Sequence, residues 1–102
     1  MGEIIRNGVQ TIGTTTTRVV PKLMRGQRTA LTVINTSSSG QIITLNWGGE
    51  ATAGKGIVLY PGGSWSESRD AVFIPSVEEV WAVASAASAT IAVHERIEAG
   101  VA

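Results

Sequence analysis

The sequence predicts an all-β fold, a small antiparallel β-sandwich of jelly-roll-like character. It occupies residues 28–102 and follows an N-terminal arm or first strand at residues 1–27. Three observations predict it. Short runs rich in β-branched residues alternate between two faces with period 2. Clusters of Gly, Ser and Pro separate these runs, a spacing typical of sandwiches. The length of 102 residues, with 43% apolar and 16% charged residues, suits one domain with one modest core and not a disordered chain.

The opening segment is the least regular. It is weakly apolar, contains the flat run Thr14-Thr15-Thr16-Thr17 and is broken by Pro21. Its charge is distinctive. Residues 1–28 carry Arg6, Arg18, Lys22, Arg25 and Arg28 against Glu3, a net +4. Residues 29–102 carry Lys55, Arg69 and Arg96 against seven carboxylates, a net −4, so the chain sums to zero. A basic arm lying on an acidic surface, such as a neighbouring copy or a shell, is one expectation. The other is an integral strand at residues 14–20, which Thr and Val favour.

From Arg28 the pattern is β. Thr29, Leu31, Val33 and Asn35 alternate with Ala30, Thr32 and Ile34, and Thr36-Ser37-Ser38-Ser39-Gly40 turns the chain. A second run, residues 41–47, places Ile43, Leu45 and Trp47 on one face before Gly48-Gly49 ends it. Residues 57–60 form a short apolar strand closed by Pro61-Gly62-Gly63, and residues 64–67 a polar strand around Trp65. Ser76-Val77-Glu78-Glu79 has capping-box spacing, so one helical turn is expected there, followed by a strand at residues 80–84 with Trp81 beside Val83. The last strand sets Ile91, Val93 and Ile97 against Ala92, His94 and Arg96. Trp47 is expected in the core; Trp65 is either an edge anchor or an exposed ring for a subunit contact or a sugar.

Little in the chain carries chemistry. It has no cysteine and one histidine, which removes disulfides, thiolate nucleophiles and most metal sets. His94 has no partner at catalytic spacing, Glu78 and Glu79 point to opposite faces of a strand, and Ser64, Ser66 and Ser68 lie in no nucleophile elbow. The expectation is no enzyme, no cofactor and no metal. Gly49-Glu50-Ala51-Thr52-Ala53-Gly54-Lys55 matches part of a phosphate-binding loop, but Gly56 stands where Ser or Thr would hold magnesium, and a strand follows where a helix is needed. Asn35-Thr36-Ser37 is a glycosylation sequon without a secretory signal beside it. Met1-Gly2 begins like a myristoylation motif that Arg6 breaks, and residues 80–93 are too short to span a bilayer. Neither a nucleic acid nor a membrane partner is expected, and the chain reads as made in a cytoplasm.

Ile34-Asn35-Thr36-Ser37 with Gln41-Ile42-Ile43-Thr44-Leu45, then the run from Gly54-Lys55-Gly56 through Tyr60-Pro61-Gly62-Gly63-Ser64-Trp65, resembles small structural modules of tailed phages. The close Ala92-Val93-His94-Glu95-Arg96-Ile97 is similar to the end of those modules. The resemblance covers about residues 28–98, rests on turns and strands, and leaves residues 1–27 unaccounted for. It implies a capsid cement or decoration protein, a homotrimer bound to the major capsid protein on the outer surface of a virion. The alternative it implies is a receptor- or glycan-binding tip of a head fibre or tailspike. The residues assigned to capsid or subunit contact are Arg6, Arg18, Lys22, Arg25 and Trp65.

Overall fold

The computed structural model describes residues 3–98; Met1 and Gly2, where the myristoylation motif would begin, lie outside them. Eight strands form in chain order: β1 (Glu3–Ile12), β2 (Thr17–Val20), β3 (Gln27–Asn35), β4 (Ile43–Trp47), β5 (Ile57–Leu59), β6 (Ser64–Ser68), β7 (Val80–Ala84) and β8 (Ala89–Glu98). They pair antiparallel into two four-stranded sheets, β1-β8-β3-β6 and β2-β7-β4-β5. The chain passes back and forth between the sheets, which is the jelly-roll order expected from the sequence. Leu31, Val33, Ile43, Leu45, Val80, Ala82, Ala89 and Ile91 fill the space between them and are fully buried. Trp47 packs against this cluster from its margin.

Of the two expectations for the opening segment, residues 3–27 follow the strand one. Residues 3–12 pair along their whole length with β8, and residues 17–20 pair with β7, so the segment supplies one edge strand to each sheet. Ile12 and Val20 anchor those strands in the core. Only two apolar anchors are needed because the ladder supplies the remaining backbone partners.

The sheets differ in length, and this shapes everything at one end. Strands β1, β3 and β8 are 10, 9 and 10 residues long, whereas β2, β4 and β7 are 4, 5 and 5. At about 3.3 Å per residue, the first sheet overhangs the second by roughly 15 Å. The overhang lies where Glu3, Glu98 and Gln27 meet, and the molecule is 43 Å long and 23 × 22 Å across. Two loops cover its inner face. Leu23 N–H donates to Val77 O at 2.8 Å, joining the β2–β3 loop to the β6–β7 loop, and Gln27 Nε2 donates to Pro75 O at 2.8 Å.

Beneath them lies a buried ion pair. A bulge between Arg28 and Ala30 turns Arg28 inward with Leu31, against strict alternation. Arg28 and Glu95 are 0% and 2% exposed, and Arg28 Nε donates to Glu95 Oε2 at 2.7 Å. The rest of the guanidinium donates to the carbonyls of Ser76, Glu78 and Pro21. That arrangement explains why no helical turn forms at Ser76. The carbonyls a helix would use are taken by Arg28 and by Leu23 N–H, and Ser76 Oγ accepts the Glu78 N–H in a local turn instead.

A second polar staple sits at the opposite end. Asn35 is fully buried; its Nδ2 donates to Gln41 O and Leu59 O at 2.8 and 2.9 Å, and its Oδ1 accepts Ser37 N–H. A side chain so enclosed is no glycosylation acceptor, so the sequon is structural.

Candidate functional site

The structure offers surfaces, and the residues that define them come from both sheets. Arg6 and Glu95 are paired across β1 and β8, and their side chains approach to 3.9 Å. Arg18 on β2 meets Glu79 at 3.5 Å, and Lys22 meets Glu78 at 3.8 Å. The basic opening segment therefore lies on the acidic part of its own chain. The charge division has an intramolecular cause: β1 and β2 pair with β8 and β7, where those carboxylates sit. The Arg18 and Lys22 pairs are solvent-exposed and contribute little each, about 0–1 kcal/mol.

Three of the assigned cations nevertheless converge. Arg6, Lys22 and Arg25 line a cleft of about 610 Å³ at the overhang, floored by Ile4, Leu23 and Ile97 and rimmed by Met24. Arg25 has no carboxylate within ion-pair distance among the described residues. Arg18 lies outside this cleft.

At the same end of the molecule, the β6–β7 loop projects an apolar tip. Val72 and Ile74 are 94% and 66% exposed, and Met24 at the rim of the cleft is 87% exposed. Asp70 gives the tip its shape: Oδ1 accepts the N–H groups of Val72 and Phe73 at 2.8 and 2.9 Å. This loop was missed in the sequence, although Ala71-Val72-Phe73-Ile74 is an apolar run without alternation, flanked by Asp70 and Pro75. Such a run, bounded by turn residues and too short for a strand in this fold, is the available signal.

Trp65 falls between the two readings made for it, outside the core cluster yet in contact with the other sheet. It sits on β6 facing inward, 36% exposed, with its ring edge-to-face on Trp47 of the other sheet at 6.4 Å and 75°. Its indole N–H donates to Glu67 Oε2 at 3.2 Å. Trp81 shares a face with Val83 as expected, but that face is the outer one of its sheet. Thr16, Thr44 and Asn46 hold the 49–54 loop across that face by hydrogen bonds to its backbone.

A shallower groove of about 400 Å³ runs along the outer face of the longer sheet. Ala92 on the central strand is flanked by Val9 and Ile34, which leaves a trough, and His94 stands between Asn7 and Thr32 in the next row. Arg96 Nε donates to His94 Nε2, which leaves Nδ1 to donate to Asn7 Oδ1. His94 is a surface residue locked in a ladder that Arg96 and Glu3 continue. Among the described residues no cluster of three His, Cys, Asp or Glu could hold a metal, and no helix is long and apolar enough to cross a membrane.

No family model matches the chain, and no curated protein matches it. Among solved structures, the chain is similar to a Bacillus endospore appendage subunit, from appendages described as a family of disulfide-linked pili. The two are 16% identical with a TM-score of 0.64, over 99% of this chain and 88% of that one. The Drosophila NLP core, described in terms of pentamer formation and histone binding, is 13% identical with a TM-score of 0.43, over 98% of this chain and 100% of that one. The second likeness is too low to carry an argument. The first shows a shared fold and no more; this sequence has no cysteine with which to form the links described for those pili. The chain is a small two-sheet β-sandwich.

Proposed function

We propose that the chain is a structural assembly protein, a cement or decoration subunit on the outer shell of a tailed-phage virion. The observation that carries this reading is the overhanging end, which presents both an exposed apolar loop and a cationic apolar cleft. Monomeric soluble proteins seldom expose such patches unless another macromolecule covers them. A shell protein gains from such surfaces because each contact is repeated by symmetry, so modest contacts add to a large effect. The glycan-tip alternative would use Trp65 as a platform; the ring is already engaged by Trp47 and Glu67, which supports anchoring over sugar stacking. A second reading, a subunit of a surface filament, draws on the likeness to the appendage pili.

Virions stripped of this protein and then incubated with the purified chain test the proposal. Added chain is expected to bind saturably and restore resistance of the particles to heat. Binding without any gain in particle stability would count against cementing, and filaments of the purified chain alone would favour the second reading.

A further inference from the structure

We propose that the β6–β7 loop of one copy docks into the Arg6–Lys22–Arg25 cleft of the next, so that copies associate head to tail around the overhanging ends. The inference deepens the assembly reading above and rests on it for the setting, while the contact itself is a property of the isolated chain.

The two surfaces match in chemistry. The tip of the loop offers Val72, Phe73 and Ile74 behind Asp70, while Arg69 at its base is paired with Glu98 and Glu78 with Lys22 of the same chain. One oxygen of that carboxylate is used within the loop, and the other makes no hydrogen bond among the described residues. The cleft offers Ile4, Leu23 and Met24 beneath three cations, of which Arg25 has no carboxylate partner. An acidic apolar knob and a basic apolar hole thus occur on the same chain. The knob is also preorganised. Asp70 N–H donates to Phe73 O at 3.0 Å, and Arg69 N–H and Pro75 O tie the loop's base to Thr29 and Gln27. A loop already held in shape gives up little conformational entropy on docking.

The topology says why this contact joins copies. The loop leaves β6, one edge of the longer sheet, and the cleft lies under β1, the opposite edge of that sheet. A contact between unlike patches is heterologous, giving a ring where the rotation between copies closes and an open fibre where it does not. Both patches sit at one end, so such a ring leaves the far end of each 43 Å molecule free.

The mass of the purified full chain, measured by sedimentation at micromolar concentration, tests this. Wild type is expected to sediment as a multiple of 10.6 kDa. Val72→Lys places a cation against the cationic cleft and is expected to weaken association at least about 100-fold. Its circular dichroism spectrum should stay that of the folded chain, because Val72 is 94% exposed within one copy. Met24→Glu added to Val72→Lys is expected to restore the oligomer; a loop-to-loop contact would gain nothing from it. A monomeric wild type, or a Val72→Lys oligomer of unchanged mass, overturns the inference. A monomeric wild type whose binding to virions is lost in Val72→Lys would show that the loop faces the shell, which overturns the inference and leaves the virion reading standing.

Discussion

Replacing Arg28 by Met removes a charge that has no route to solvent. Arg28 is 0% exposed, and its head group makes four contacts: Glu95 Oε2 at 2.7 Å, Glu78 O at 3.1 Å, Pro21 O at 3.3 Å and Ser76 O. Met keeps most of the stem's volume, so the perturbation is chiefly electrostatic. It leaves the Glu95 carboxylate 2% exposed, with Arg6 at 3.9 Å as its remaining cation. Breaking a buried pair from one side costs about 3–5 kcal/mol. Against a total stability of about 5–15 kcal/mol for a domain, that is a large fraction. A domain of this size loses roughly 4–8 °C of melting temperature per kcal/mol, so a fall of at least about 12 °C is expected. Denaturant unfolding followed by tryptophan fluorescence reads the free energy, and a thermal scan followed by circular dichroism reads the melting temperature. The double variant Arg28→Met with Glu95→Met should recover part of the loss, since an apolar pair carries no stranded charge. A single variant within about 1 kcal/mol of wild type, or a double variant worse than the sum of the singles, would refute the reasoning.

Three further outcomes follow from the packing. Deleting residues 1–12 removes Ile12 from the core and exposes the edge of β8, so circular dichroism should show loss of cooperative melting; a folded truncation of full stability would restore the separate-arm view. Gly56→Ala should destabilise more than Gly54→Ala. Both have positive φ, but a Cβ at Gly56 meets Leu45 O at 2.3 Å while one at Gly54 meets open space, and equal melting temperatures would contradict this. Calorimetric titration with ATP and magnesium should show no heat. The N–H groups of Gly54 and Lys55 are already bonded to Thr44 Oγ1 and Thr52 O, and saturable binding lost in Lys55→Ala would overturn this.

The strands were legible wherever the side chains alternate without interruption. Leu31, Val33 and Asn35 on β3, and Ile43, Leu45 and Trp47 on β4, face inward as their spacing requires. The opening segment was legible only as one of two alternatives, because an edge strand needs few buried residues and β1 supplies only Ile12 to the core. The burial of Arg28 was not legible, for a different reason. A bulge shifts the register by one residue, and period 2 carries no trace of it. The Ser76 turn has the local signal of a helix start, yet a buried guanidinium 48 residues away in sequence claims its carbonyl. Long-range hydrogen bonding of that kind leaves nothing to read in four consecutive residues.

The candidate surfaces were half legible. Arg6, Lys22 and Arg25 were singled out by charge, and the structure brings them to one cleft. Arg18 was singled out on the same ground and lies elsewhere, bonded to Glu79. Charge identifies the residue type; the unequal strand lengths decide which cations share an end. Those lengths emerge only when both sheets are assembled.

The most direct measurement is electron microscopy of virions labelled with an antibody against the purified chain. The account predicts label in a regular array over the outer shell. Label confined to a fibre or tail tip, or none on the particle, would contradict it.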